Sequence, residues 1–315
     1  EATMQTLLAS ALNGDRSSLA RLLSHIERDP SVETEIRAGL ASTGTESVVI
    51  GITGPPGAGK SSLISALLPH TTQSFDRTAV LAVDPSSPFS GGALLGDRVR
   101  MQNHGLGDRV LIRSMASKGE SGGLARAAST AIQVLAACGW PLILVETLGI
   151  GQVELDVMDL ATVVAVVLNP GWGDTFQANK AGLTEAGDVF VINKADKDGV
   201  QQTRADLQDS LSLLQSPVPI QIFETIAVNE DGVAALWQGI ETYLADAQAS
   251  GLQEQKLRTR RRRLLIRILQ SSCEARVDAY CCSDHGSAQV ESALAGELSI
   301  EALQADLLAN ISQPE

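Results

Sequence analysis

Aliphatic runs alternate with segments of helical spacing through the middle of this 315-residue chain, from about residue 43 to 245. The runs are rich in β-branched residues and are predicted to be strands buried on both faces, at 48–52, 79–83, 110–112, 142–145, 163–168, 189–192 and 220–223. Helical segments separate them, for instance 124–138. Strands that alternate with helices indicate an α/β fold with a mostly parallel sheet flanked by helices.

In the two terminal regions of the chain, apolar residues recur only with the spacing of a helix. Apolar positions predict helices at 6–12, at 19–26 with Asp15 as the cap, and at 32–40. After residue 246 the strand pattern stops, and helices are predicted at 252–269, 288–294 and 300–311. The chain is therefore predicted to divide into an N-terminal helical cap (1–42), a sheet-containing domain (43–245) and a C-terminal helical region (246–315).

The first predicted strand runs into a glycine-rich loop that matches the phosphate-binding loop, or Walker A motif, and a helical pattern follows it. Glycines let backbone N–H groups surround a phosphate, and the helix adds the positive end of its dipole. Lys60 is expected to reach the β- and γ-phosphates, and the Ser61 hydroxyl to ligate Mg²⁺. The fold is thus predicted to be that of a P-loop NTPase. Its predicted nucleotide-binding residues here are Gly54, Pro55, Pro56, Gly57, Ala58, Gly59, Lys60, Ser61 and Ser62.

The predicted strand at 142–145 is followed by Glu146, with Gly149 three residues further on. In P-loop proteins an acid at this place holds Mg²⁺, usually through a water molecule. The glycine can place a backbone N–H near the γ-phosphate. Gly149 is therefore a candidate sensor of the γ-phosphate, and the loop after it a candidate switch.

A guanine-recognition motif, Asn193-Lys194-Ala195-Asp196, follows the predicted strand at 189–192. The Asp196 carboxylate accepts from the guanine N1–H and exocyclic amine, a donor pair that adenine lacks, and an unpaired carboxylate is costly. The stem of Lys194 can lie along the purine ring. A later loop could place the Ala227 N–H on the guanine O6. It departs from the usual Ser-Ala-x-x-Gly-x-Gly pattern, because it has Ile226 for the serine and Glu230 for the first glycine.

Two further acids, Asp84 and Asp97, follow the second predicted strand and a glycine-rich segment, respectively. Each falls where a metal or the γ-phosphate could be reached. On chemistry alone, a capped turn explains them equally well.

Composition narrows the function. The formal net charge of −13 argues against general nucleic-acid binding and against a membrane surface. No apolar run is long enough to span a bilayer, and the cysteine spacing suggests thiols in a reducing cytoplasm. One basic run, from Arg258 to Arg267, stands out. It is expected to be solvated or to form salt bridges between subunits, with docking to an acidic partner as the alternative.

Several segments together resemble the methylmalonyl-CoA mutase-associated GTPases, the MeaB/ArgK family of P-loop proteins once called LAO/AO transport proteins. They include Val83-Asp84-Pro85-Ser86-Ser87, the run from Gly96 to Met101, and Val145-Glu146-Thr147-Leu148-Gly149-Ile150-Gly151-Gln152. The resemblance covers roughly residues 10 to 250. It implies a GTP-dependent chaperone that gates cofactor loading and protection for an adenosylcobalamin-dependent acyl-CoA mutase. It also implies a homodimer joined through the C-terminal region, where the chain matches the family only in being helical.

The resemblance also implies residue roles. Asp84, Asp97 and Glu146 would surround Mg²⁺, and residues near 84–101 and 146–156 would form two switches. A third switch at 170–180, which includes Asp174 and Lys180 as candidate catalytic residues, would relay the nucleotide state to the mutase. The composition of this segment is also compatible with an ordinary Gly/Pro loop after a strand.

The expected reaction is attack of water on the γ-phosphate, with Mg²⁺ and Lys60 neutralising the developing charge. No side chain is an evident general base, since Ile150 follows Gly149, but Gln152 and Glu154 could orient the water. Three alternatives remain at this stage: an ATP-using kinase or transport regulator, a non-hydrolysing GTP-binding scaffold, and a nickel-type metallochaperone GTPase.

Overall fold

The computed structural model describes residues 3–29, 31–40, 46–84, 106–116, 123–147, 152–171, 185–213 and 218–311. Its centre is a sheet of seven parallel strands in the order β3-β2-β4-β1-β5-β6-β7. The α/β fold is confirmed, and all seven predicted strands are present. The strands are β1 (Val48–Thr53), β2 (Thr78–Asp84), β3 (Val110–Ala116), β4 (Leu142–Thr147), β5 (Val163–Leu168), β6 (Val189–Asn193) and β7 (Gln221–Thr225).

The five inner strands are buried on both faces, as continuous aliphatic runs predict. That expectation is wrong for the two edge strands, β3 and β7, whose residues are mostly half-buried because each has a single neighbouring strand. Four of the described helices lie between strands: α4 (Lys60–Ser74), α5 (Gly123–Ala137), α6 (Gln152–Met158) and α7 (Val200–Leu211). A fifth, α8 (Val233–Ala249), follows β7. Aliphatic side chains of α4 and α8 pack with the sheet in one continuous core.

The N-terminal helices are α1 (Met4–Leu12), α2 (Arg16–Arg28) and α3 (Val32–Leu40). Asp15 is confirmed as the N-cap residue of α2, since its carboxylate accepts hydrogen bonds from the N–H groups of Ser17 and Ser18. Ion pairs fix these helices beside the sheet: Arg113 of β3 donates to Glu27 (2.9 Å), and Arg126 of α5 to the buried Glu33 (3.3 Å).

The C-terminal helices are α9 (Leu252–Cys282), α10 (Asp284–Leu294) and α11 (Ile300–Ile311). The first is longer than the predicted 252–269. The chain forms two compact units, residues 1–264 and 265–315. Within the second unit, Asp306 accepts hydrogen bonds from Tyr280 (2.5 Å) and pairs with His285 (2.7 Å). The domain boundaries drawn from the sequence stay a prediction. Of the described helices, none has the length and apolarity to cross a membrane.

Candidate nucleotide-binding site

The glycine-rich loop lies at the carboxyl end of β1, the central strand, with β4 and β5 on its two sides. Ligands of parallel sheets bind at this edge. Two loop glycines are sterically required. A Cβ on Gly54 would lie 2.0 Å from the Val167 carbonyl oxygen, and one on Gly59 would lie 2.3 Å from Asn193 Nδ2. Gly59 also has a φ of +89°, which favours glycine.

Lys60 begins α4, and its side chain folds back into the loop. The buried Nζ donates to the carbonyl oxygens of Gly54 (2.8 Å) and Pro55 (2.9 Å). The lysine charge and the N-terminal end of α4 therefore meet inside the same loop, as a site for a polyphosphate requires.

Ser61 and Glu146 are brought together across 85 residues of sequence, with Ser61 Oγ donating to Glu146 Oε1 at 2.7 Å. Glu146 is buried in β4, and the buried Asp84 ends the adjacent β2. A hydroxyl and carboxylates are the oxygen donors that Mg²⁺ prefers, so the residues present fit that ion. No group of three His, Cys, Asp or Glu side chains in the described ranges could hold a metal by itself.

Asn193 joins three loops at the carboxyl end of β6. Its Nδ2 donates to the Ala58 carbonyl oxygen of the phosphate-binding loop (2.9 Å). Its Oδ1 accepts from the Thr225 hydroxyl and from the Ala227 N–H, both at 3.1 Å. The side chain of Asn193 is thus a structural link between the phosphate and base ends of the site. The bond from Ala227 to guanine O6 stays a prediction.

Lys194 takes a left-handed conformation, with φ of +60°, and its Nζ donates to the Gly57 carbonyl oxygen (2.6 Å). Its stem therefore reaches from the Asn-Lys-x-Asp motif to the phosphate-binding loop. Asp196 is exposed at the same end of the sheet. The motif thus combines a fixed asparagine with an accessible carboxylate, which is the arrangement that hydrogen-bonded recognition of a base needs.

The altered base-closing loop keeps its geometry by other means. Glu230 adopts φ of +63°, the left-handed conformation that a glycine would take easily. The Ile226 N–H donates to the Asp231 carbonyl oxygen (3.0 Å), which closes the loop without a serine hydroxyl. Gly232 is required, because a Cβ there would lie 2.1 Å from the Glu224 carbonyl oxygen.

Other predicted site residues lie outside the described residues: Asp97, Gly149, Asp174 and Lys180. For Gln152 and Glu154 the backbone is described, at the start of α6, and the side chains are not. Their assigned roles stay predictions.

A buried ion cluster that was not predicted from the sequence lies at the amino end of β6. Asp188, fully buried just before β6, accepts from Arg260 (2.7 Å), from Tyr243 (2.9 Å) and from Lys256. Burial alone would raise the pKa of the Asp188 carboxyl, but the charges of Arg260 and Lys256 hold that pKa below its usual value. Burial and the adjacent Asp188 raise the pKa of Tyr243.

Arg260 also donates to the carbonyl oxygens of Ala161 and Thr162, both at 3.1 Å. The expectation that the basic run is solvated or pairs between subunits is therefore wrong for Arg260. The sequence contained one indication that Arg260 faces the protein interior. Leu252, Lys256, Arg260 and Leu264 are spaced four residues apart, which places Arg260 on the same face of α9 as two leucines.

The fold and the site define a class of protein, the P-loop GTPases, because a phosphate-binding loop at the centre of a parallel sheet is bonded to an Asn-Lys-x-Asp motif. Residues 19–281 match the family model described as the methylmalonyl Co-A mutase-associated GTPase MeaB, and the chain belongs to that family.

Known relatives agree with this assignment. A protein of Pyrococcus abyssi named as a GTPase is 41% identical over 280 residues, which cover 87% of this chain and 86% of the relative. A Caenorhabditis briggsae protein named methylmalonic aciduria type A homolog, mitochondrial, is 30% identical over 275 residues, which cover 81% of this chain and 67% of the relative. The crystal structure of a LAO/AO transport system kinase covers 99% of both chains with a TM-score of 0.70 and 22% identity, which shows the fold. The chain is therefore a GTP hydrolase.

Proposed function

We propose that this GTPase is Mg²⁺-dependent and acts as a chaperone for an adenosylcobalamin-dependent acyl-CoA mutase of the methylmalonyl-CoA type. It would gate the loading and protection of the mutase cofactor. The family description, which names methylmalonyl Co-A mutase, supports this role. The name of the Caenorhabditis relative, which refers to methylmalonic aciduria, points the same way. A cytoplasmic homodimer is part of the proposal.

The observation that carries the nucleotide assignment is the set of bonds made by Asn193. It fixes the loop of Asp196 to the phosphate-binding loop through Ala58, at 2.9 Å. A nucleotide whose phosphates lie in that loop would have its base beside Asp196. The exposed carboxylate would then accept from guanine N1–H and its exocyclic amine, whereas adenine would leave the carboxylate unpaired.

In the proposed mechanism, Lys60 holds the β- and γ-phosphates and neutralises charge that develops as the γ-phosphoryl group is transferred to water. The ion would be held by Ser61, with Glu146 and Asp84 as acids around it and Asp97 as a further predicted acid. When bound, Mg²⁺ would help to neutralise the negative charge of the phosphates. Gln152 or Glu154 orients the attacking water, and Gly149 senses the γ-phosphate. Asp174 and Lys180 belong to the proposed third switch.

The test is GTP hydrolysis by the purified protein with Mg²⁺, alone and with methylmalonyl-CoA mutase, with ATP as the competing substrate. We expect GTP-selective turnover that rises when the mutase is added. Turnover without stimulation would leave a GTPase that needs another partner, and it would contradict the chaperone proposal.

A variant separates base recognition from catalysis. Asp196→Asn replaces an acceptor pair with one donor and one acceptor, so guanine selectivity should fall by roughly three or more orders of magnitude, in line with hydrogen-bonded discrimination. Xanthosine nucleotides, which present an acceptor where guanine has its amine, should bind the variant better than GTP does. Lys60→Ala is the control that lowers turnover with either nucleotide. Unchanged GTP preference in Asp196→Asn would contradict the base assignment.

A further inference from the structure

The connection between α6 and β5, residues 159–162, is fixed to β1 on one side. The Thr162 N–H donates to the Val49 carbonyl oxygen (2.7 Å), and the Val49 N–H donates to Thr162 Oγ1 (3.0 Å). β1 leads directly into the phosphate-binding loop. The connection is therefore attached to the strand that positions the nucleotide.

Two arginines of α9 hold the same connection from the other side. Arg260 binds the carbonyl oxygens of Ala161 and Thr162. Arg263 Nη2 lies 3.1 Å from Asp159 Oδ1, one residue beyond the end of α6. Helix α9 thus forms a charged pair with the residue that directly follows α6.

Helix α6 depends on its surroundings because it has only seven residues, too few to be stable alone. Met158, its last residue, packs on β1 at Gly51, where a Cβ would lie 2.5 Å from the Met158 sulfur. A shift at the end of α6 would therefore change how the helix sits against the strand that carries the phosphate-binding loop.

The Asp159 carboxylate is an unfavourable group at this place. It is only 7% exposed and lies at the C-terminal end of α6, where the helix dipole is negative. The guanidinium of Arg263, which is 44% exposed, places a positive charge beside it. Arg263 can therefore be replaced without removing a buried cation, in contrast to Arg260.

We propose that Arg263 is a positioning residue for GTP hydrolysis, which acts through Asp159 by fixing α6, the helix that begins at Gln152 in the proposed second switch. This inference rests on that switch assignment. Since Asp159 lies beside the amino ends of β1 and β5, whereas the phosphate-binding loop and the Asn-Lys-x-Asp motif follow the carboxyl ends of their strands, the effect should fall on the rate of hydrolysis and not on nucleotide affinity.

The test compares Arg263→Ala and Asp159→Asn with Arg261→Ala in the full chain. Arg261 is the matched control, because it lies on the same helix and pairs with Glu46 at the surface, 3.5 Å apart. We expect the rate of single-turnover hydrolysis to fall roughly ten- to hundredfold in Arg263→Ala and Asp159→Asn, because small displacements of reacting groups slow a reaction by about this much. Their Kd for GDP should stay within about twofold of the original, and Arg261→Ala should match the original in both measurements.

One additional variant, Arg263→Lys, and the Asp159→Asn variant named above test the pair itself. Arg263→Lys keeps the positive charge and should restore most of the rate. Asp159→Asn removes the buried charge itself, so it should stay folded even if Arg263→Ala does not. Unchanged hydrolysis in Asp159→Asn and Arg263→Ala would overturn the proposal. An equal fall in GDP affinity and hydrolysis would also overturn it, by indicating a purely structural role. Mutase stimulation of the original protein tests the chaperone function separately, because the comparison of variants uses the basal rate alone.

Discussion

The two ends of β6 are stabilised by opposite means. At the carboxyl end, Asn193 makes three hydrogen bonds to neutral groups, and the charged Lys194 and Asp196 beside it are accessible to solvent. At the amino end, the carboxylate of Asp188 is 0% exposed and contacts Arg260, which is 5% exposed. A ligand site must exchange its occupant with water, so its charges are left reachable. The ion cluster of Asp188 binds no ligand and has no such requirement, so its charges can be fully desolvated when each has a partner.

The largest effect is expected when the ion cluster of Asp188 is broken. Arg260→Ala should cost about 3–5 kcal/mol in the free energy of unfolding, because it leaves a buried carboxylate short of its closest guanidinium. Urea denaturation at neutral pH measures this. Arg262→Ala, at an exposed position on the same helix, is the control, and an equal loss in both variants would remove the contrast between the two ends.

A smaller effect, on binding instead of stability, is expected at the nucleotide end. Asn193→Ala removes the links to Ala58 and Ala227, and each hydrogen bond contributes about 0.5–1.5 kcal/mol. We expect the affinity for GDP to fall about thirtyfold, or about 2 kcal/mol, by calorimetry. Thr225→Val, which removes only one of the three bonds, should lose less. If it lost as much as Asn193→Ala, the link to the phosphate-binding loop would be unimportant.

The smallest effect is a pH dependence of stability that belongs to Asp188. Its carboxyl pKa is depressed in the folded protein. Its contribution is therefore complete above the unfolded-state pKa of about 3.9 and is lost as the pH falls through the lower folded-state value. Between about pH 4 and that value, the original protein should lose up to about 1.4 kcal/mol per pH unit more than Asp188→Asn. Urea titrations at several pH values measure the free energy of unfolding of both proteins. The prediction would be wrong if this free energy changed with pH in the same way in the original protein and in Asp188→Asn.

Local sequence predicted the parts of the site that depend on a few consecutive residues. The phosphate-binding loop and the Asn193 motif are short patterns, each preceded by an aliphatic strand, and the structure places both at one edge of the sheet. The bonds from Asn193 to Ala58 and Ala227 are different, because they join segments far apart in sequence. Only the order of the strands brings those segments together.

Single charged residues were harder to interpret. Asp188 belongs to no motif in the sequence, and Arg260 was expected to be one member of a solvated basic run. Their pairing depends on how α9 crosses the starts of β5 and β6, which no local pattern encodes. Glu230 shows the reverse case, since a substitution that seemed to weaken the base-closing loop keeps the backbone conformation of the glycine it replaces.

The central position of β1 has a consequence for synthesis on the ribosome. This strand is the first of the seven to be translated, yet its neighbours are β4 and β5: Val48 is paired with Leu142, and Ile50 with Val163. Parallel pairings of such long range form late. At a translation rate of about 5–20 residues per second, the nascent β1 waits on the order of ten seconds for its partners. A newly made chain therefore acquires the ability to hold nucleotide only after more than half of its 315 residues have been translated.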